Sequence, residues 1–266
     1  MEKNIFLLTC VFMLMFFCGC AITNRVIETQ FISFPDIIIA SYSETPVIID
    51  GNLDDPVWQK TPFYNFSLPG EKSRQKNSDA EKNTASPREQ GELRVAWNEK
   101  YLYIAAKLYD SDIVQECEEN QKHLYSTGDT IEIFLKPENN TWYWEIYGTP
   151  NKKKTIFWYP GRGRQGLPSG FEPGIDPEII HIDTKIKGTL NNWQDKDEYW
   201  TIEIAIPAKE LTKLGDEFGK DGSWRILMGR YNYSRYIPWK ELSTIPQLSK
   251  MNFHLLEEYG ILKLNK

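Results

Sequence analysis

Basic charge is in short supply: 31 Lys and Arg stand against 37 Asp and Glu, for a formal net charge of −6. A protein that grips duplex phosphates needs a basic face, so nucleic acid is excluded as the partner. Cysteine is scarce too. Of four in 266 residues, Cys10 and Cys18 lie in or beside an N-terminal apolar run, Cys20 follows closely, and Cys117 stands alone. That leaves no disulfide scaffold, and the fold must rest on its core, which a chain of this length can bury. The three histidines, His123, His181 and His254, are isolated from one another. No Gly-x-Ser-x-Gly elbow, His-Glu-x-x-His pair, P-loop or Rossmann glycine pattern occurs, so no familiar catalytic motif argues for an enzyme. No internal repeat is present, and the one long apolar run, Ile5 to Phe17, is thirteen residues, too short to span a bilayer as a helix.

What is there is an ordinary globular composition, 41% hydrophobic and 26% charged, with an unusual aromatic share of 14% that includes nine Trp and fourteen Tyr. Either the core is rich in rings or a platform stacks something flat. The N-terminal run behind Lys3 fits a signal-peptide core. It ends in Phe17-Cys18-Gly19-Cys20, which resembles the lipobox of bacterial lipoproteins, with Cys20 the lipidated residue; an ordinary secretory signal cleaved nearby is the alternative. Ala21 after the cysteine implies, by that resemblance, export to the outer membrane. The expected organisation is residues 1–19 signal peptide, 20–44 lipidated cysteine with tether or first strand, and 45–266 one domain, monomeric and lipid-anchored at the cell envelope.

Strand signals dominate the remainder. In Tyr101 to Asp110, Leu102, Ile104, Ala106 and Leu108 share one face while Tyr101, Tyr103, Lys107 and Tyr109 share the other, the period-two pattern of a strand. Similar runs are Glu92 to Trp97, Thr130 to Lys136, Trp142 to Tyr147, Thr155 to Tyr159, Ile179 to Lys187, Trp200 to Ile206, Trp224 to Tyr231 and Tyr259 to Leu264. They predict an all-β fold, a two-sheet antiparallel β-sandwich, with one or two short helices at Asp54 to Trp58 and Ala208 to Leu214. Two polar stretches, Gly70 to Gly91 and the glycine-rich Gly161 to Gly174, read as surface or binding loops.

Three segments in order resemble carbohydrate-binding module family 9 and its DOMON-like relatives. They are Val47-Ile-Ile-Asp-Gly-Asn-Leu-Asp-Asp-Pro-Val-Trp58; Val95-Ala-Trp-Asn-Glu-Lys-Tyr-Leu-Tyr-Ile with Gly128-Asp-Thr-Ile-Glu-Ile-Phe-Leu135; and Asp197-Glu-Tyr-Trp-Thr-Ile-Glu-Ile-Ala-Ile-Pro207 with Asn252-Phe-His-Leu-Leu-Glu-Glu-Tyr-Gly-Ile-Leu262. The first reads as structural, a turn and a tryptophan anchor. The resemblance implies a sandwich of immunoglobulin or jelly-roll type, non-catalytic saccharide binding with no cofactor beyond a structural calcium in some members, and a glutamate, here Glu132, that accepts hydrogen bonds from sugar hydroxyls. Family members with a reducing-end site clamp the ring between two tryptophans; the equivalent positions here are Ser126, beside Tyr125, and Phe253. The family's arginine on the following strand is replaced by Glu145.

Candidate carbohydrate-binding residues are thus Tyr125, Glu132, Glu145 and Phe253. Further rings are Trp158 and Tyr159 near the glycine-rich loop, and Tyr231, Tyr233, Tyr236 and Trp239, interleaved with Arg230 and Arg235. Asp110, Asp112 and Glu116 at a strand end are the candidate calcium ligands, with a solvated acidic loop the alternative. His254 is expected to hold a hydrogen bond rather than a metal. Two other readings stay open. One is a glycan-processing enzyme, which would need two acids flanking a cleft. The other is an envelope scaffold or a haem-binding DOMON-like sandwich, which would need an axial ligand.

Overall fold

The computed structural model describes residues 36–70, 86–162 and 176–266. Chain contacts divide the protein into residues 1–34 and 35–266; the expected signal and Cys20 lie outside the described residues. The described part is built from twelve strands: β1 Ile37–Tyr42, β2 Phe63–Asn65, β3 Gly91–Trp97, β4 Tyr101–Tyr109, β5 Thr130–Pro137, β6 Tyr143–Gly148, β7 Lys154–Tyr159, β8 His181–Lys187, β9 Tyr199–Pro207, β10 Trp224–Asn232, β11 Glu241–Ile245 and β12 Gly260–Asn265. Two short helices, Pro56–Lys60 and Ala208–Leu211, complete it.

Where the alternation predicts two hydrogen-bonded sheets, the strands pair as one, in the order β7-β6-β5-β10-β12-β1-β3-β4-β9-β8, with β11 beside β10 and β2 beside β3. The reason is β1. It pairs in parallel with both β12 and β3 and so joins what would otherwise be two antiparallel groups. The sheet folds over a single core that holds Ile131, Ile133 and Leu135 of β5 together with Trp200, Ile202, Ile204 and Ile206 of β9. Gly148 lies where the two ends of the sheet meet: a Cβ there would come within 2.6 Å of Ile202 and 3.0 Å of Ile182.

The opening segment packs on the outside of β4 and β9. Asp50 N, Gly51 N and Trp58 Nε1 all donate to the Glu203 carboxylate, at 3.0, 2.8 and 2.8 Å. Gly51 has φ +80, and a side chain there would strike the Thr184 backbone at 2.7 Å, so only glycine turns the chain at this point. The motif is therefore structural, and it covers Tyr103 and Ala105, the outer face of β4.

The opposite end of the sheet is covered as well. Every residue of β6 is buried, and its outer side is roofed by Phe253, Leu255, Leu256 and Tyr259 from the C-terminal segment and by the turn Leu124–Ser126. A strand buried on both faces has nowhere to put a polar side chain except among other side chains.

Candidate functional site

On β5, Ile131, Ile133 and Leu135 enter the core, so alternation turns Glu132 to the other face. On β6 the inner residues are Trp144 and Ile146, and Tyr143, Glu145 and Tyr147 share Glu132's side. Glu132 lies opposite Tyr147 on one flank and Gly229 of β10 on the other; Glu145 lies opposite Phe134 and Phe157. The two glutamates are diagonal neighbours across the β5–β6 pair, a relation that sets Cα atoms roughly 7–8 Å apart and lets long side chains converge.

Rings wall this floor. Gly229 has no side chain, and the Phe253 ring occupies the space it leaves, 2.6 Å from where a Cβ would stand. Tyr231 meets Phe253 edge-on at 5.4 Å and stacks on Tyr125 at 5.1 Å with 23° between planes. Tyr125 also meets Tyr147 edge-on at 5.9 Å. Beyond Glu145, Tyr143 and Tyr159 stack at 5.3 Å, and the Tyr143 hydroxyl shares a 2.9 Å hydrogen bond with His254 Nδ1. At the rim, Lys240 Nζ donates to the Tyr233 hydroxyl at 3.1 Å and lies 5.5 and 5.3 Å over the Tyr231 and Tyr233 rings. Tyr233 in turn donates to the Tyr125 backbone carbonyl at 2.7 Å, which fixes the turn that carries Tyr125.

Both carboxylates are buried, Glu132 at 1% exposure and Glu145 at 4%. The Tyr147 hydroxyl donates to Glu145 Oε1. Glu145 Oε2 and Glu132 Oε1 have no hydrogen-bond partner among the described residues, an expensive state for a carboxylate. Burial pushes Glu145 up to about 7 against the Tyr147 hydrogen bond. Burial, then Glu145, drives Glu132 well above the carboxylate range, opposed by the charge of Lys240. Near neutral pH the pair therefore holds at least one proton, and with it a mixture of donor and acceptor positions.

Of the residues singled out from sequence, Tyr125, Glu132, Glu145 and Phe253 come together, with Tyr233 at their edge. His254 holds the hydrogen bond expected of it. Arg230 and Trp158 do not join them. Arg230 shares the parity of Trp224, Ile226 and Met228 and points inward, donating to Glu89 O at 2.9 Å, Gln90 O at 3.2 Å and Tyr109 O at 2.7 Å. Trp158 packs against the main core on the face opposite Glu145. Trp239 stands 83% exposed on the loop before β11.

Asp110 and Asp112 are engaged within the protein rather than gathered around a common point. Asp110 faces the Arg230 guanidinium at 3.3 Å, and Asp112 Oδ2 accepts from Arg235 N at 2.8 Å. No group of three or more His, Cys, Asp or Glu among the described residues is arranged to hold a metal ion.

The residues that sequence reasoning left out are Tyr143, Tyr147, Phe157 and Lys240. The first three were marked by strand parity, since each alternates with a core residue of β6 or β7. Lys240 had no such signal.

Comparison with known proteins adds three findings. The model of the carbohydrate family 9 binding domain-like family matches residues 49–221. No curated protein matches. Among solved structures, a provisionally named carbohydrate-binding protein from Bacteroides uniformis ATCC 8492 superposes with TM-score 0.64 at 10% identity, covering 87% of this chain and 100% of its own. A family 9 carbohydrate-binding module from Caldicellulosiruptor kristjanssonii matches in complex with cellotriose (TM-score 0.55, 16% identity, 86% of this chain and 94% of that one) and with glucose (0.54, 16%, 86% and 96%).

Proposed function

The chain belongs to the carbohydrate family 9 binding domain-like family, and on that premise we propose that it binds a saccharide, without chemistry, on the outer face of β5, β6 and β10. The observation that carries this reading is the pair of buried carboxylate oxygens without partners among the described residues, Glu132 Oε1 and Glu145 Oε2, lying among stacked aromatic rings. A carboxylate offers acceptors to adjacent hydroxyls, and its protonated partner offers a donor. The apolar C–H face of a sugar ring stacks on a phenol or phenyl ring, here Tyr125, Tyr231 or Phe253. Tyr125 and Tyr231 are only partly buried, so a ligand arriving from solvent meets these rings first and reaches the carboxylates by turning the Tyr125 ring aside. Trp239, exposed one residue from Lys240, would stack a further unit of a chain. The module bound to cellotriose and glucose in Caldicellulosiruptor kristjanssonii supports a pyranose ligand.

We place the protein, as a monomer, on the cell envelope through a lipid on Cys20, where it would hold polysaccharide close to the enzymes or transporters that use it. Calorimetric titration of the full chain in mild detergent with glucose and cellotriose tests the reading. Binding is expected, and Glu132→Ala, which removes both oxygens, should weaken it about ten-fold, the scale of a lost hydrogen bond. An unchanged affinity in that variant would place the site elsewhere. A hydrolytic reading has one observation in its favour: two buried carboxylates, both pushed above their ordinary range, lie on one face as diagonal neighbours. Both acids, however, rise from one sheet floor rather than from opposite walls of a cleft. Release of glucose from cellotriose that stops in Glu145→Gln would establish hydrolysis instead.

A further inference from the structure

Two carboxylates buried side by side are costly unless a positive charge joins them. None of the described residues supplies one between them. Glu132 feels Lys240, but that ammonium is engaged at the rim by the Tyr233 hydroxyl and the ring faces; for Glu145 the described surroundings offer only the Tyr147 hydroxyl. The groups facing the pair are otherwise phenols, Tyr125, Tyr143, Tyr147, Tyr159, Tyr231 and Tyr259, with the His254 imidazole on Tyr143, which burial holds toward its neutral form. Ring faces attract cations and disfavour anions. Two acceptor oxygens without partners among the described residues, set among such rings, make a receptor for an ammonium group, and the one cation near them among those residues, Lys240, is engaged at the rim.

We propose that the site selects a saccharide bearing a free amino group, its ammonium held between Glu132 and Glu145 against the surrounding tyrosine faces and its pyranose ring stacked as above. The inference rests on the saccharide reading and adds the charge of the ligand. The ammonium takes the place of a proton that the pair holds near neutral pH, and that proton passes to solvent. An N-acetylated sugar has no charge to offer, and a uronate brings a third carboxylate to a site that already strains to hold two.

The test is titration of the full chain near neutral pH with glucosamine, glucose, N-acetylglucosamine, glucuronate and ethanolamine. Glucosamine is expected to bind at least about ten-fold more tightly than glucose or N-acetylglucosamine, glucuronate not at all, and the heat of glucosamine binding should vary with the ionisation enthalpy of the buffer, reporting proton release. Glu145→Gln, which keeps the shape and removes the charge, should bring the affinities for glucosamine and glucose to within about two-fold of each other, whatever the loss in affinity for glucose itself. Glucose binding equal to or tighter than glucosamine in the unmutated protein would overturn the amino-sugar inference and leave the saccharide reading intact. Ethanolamine binding as tightly as glucosamine, with glucose ignored, would overturn it in favour of a general amine site. Silence with every ligand would overturn both readings.

Discussion

Glu145 shows what burial does to a single side chain. Held at 4% exposure with one oxygen on Tyr147 and the other without a partner among the described residues, it ionises only near pH 7, whereas the unfolded chain ionises the same group near pH 4.3. Below the lower value the group is neutral in both states and costs nothing. Between the two, the folded state keeps a proton that the unfolded state releases, so stability falls with each step of pH; above about 7 the loss is complete. Over that window the cost is on the order of 3 kcal/mol for this one residue. Glu145→Gln removes it. The variant should therefore melt close to the unmutated protein at low pH and well above it at pH 8, with the gap opening between about pH 4.5 and 7. Asp110, raised to about 6 by burial against the attraction of Arg230, adds a slope of the same sign that the substitution leaves untouched. Thermal melts of both proteins across that range check the claim, and a gap independent of pH would refute it.

At the scale of elements, the opening segment is tied to β9 through one side chain, since Glu203 takes two backbone N–H groups and an indole N–H at the same carboxylate. Glu203→Ala takes the acceptor from those three donors, two of them buried, and should cost about 2–4 kcal/mol, while saccharide binding, on the other end of the sheet, stays as it was. Denaturant unfolding beside a sugar titration separates the two; a loss of binding equal to the loss of stability would mean that the ends are coupled. The strands that sequence reveals are those that alternate. Nine runs read as strands coincide with β3 to β10 and β12, within two residues at each end. The three that do not announce themselves are short, as β2 and β11 are, or unalternating, as in Ile37-Ile-Ile-Ala-Ser-Tyr42, whose pairing is parallel on both edges and whose pattern reads as a run. Parity turns Glu132 away from the core, while Glu145 is marked only by the resemblance; alternation applied to β6, β7 and β10 as well puts Glu145 on Glu132's face and turns Arg230 and Trp158 inward, with Met228 and Ile156, where the structure has them. What alternation does not contain is the roof. Phe253, the Tyr125 turn and Lys240 belong to segments without period, and only the tertiary fold shows that they close over the carboxylates and bury them.

Across the whole molecule, the sheet is continuous because of its first strand. β1 contributes five register pairs to β12 and three to β3, all parallel, and seats Ile38 and Ala40 in the core at 1% and 0% exposure. Without it the sheet has two exposed edges in the middle of its path, at β12 and at the Val95–Trp97 half of β3 that β2 leaves uncovered, each offering free N–H and C=O groups next to an opened core, the arrangement that draws edge-to-edge aggregation. The compact unit therefore already includes Asp36, whose carbonyl accepts from Ile261 N at 2.8 Å. Two truncations decide whether this is so. A chain beginning at residue 36 should unfold cooperatively at the temperature of the full protein and bind the same sugars. One beginning at residue 43, which keeps every other strand and the complete carboxylate site, should aggregate or lose its cooperative transition, since it forfeits the burial of the Ile38 side chain, about 2–3 kcal/mol on its own, together with the ladders on both sides. If the shorter chain instead melts within a few degrees of the longer, the two halves hold together through side-chain packing alone, and β1 is a decoration on a sandwich rather than the seam of a single sheet.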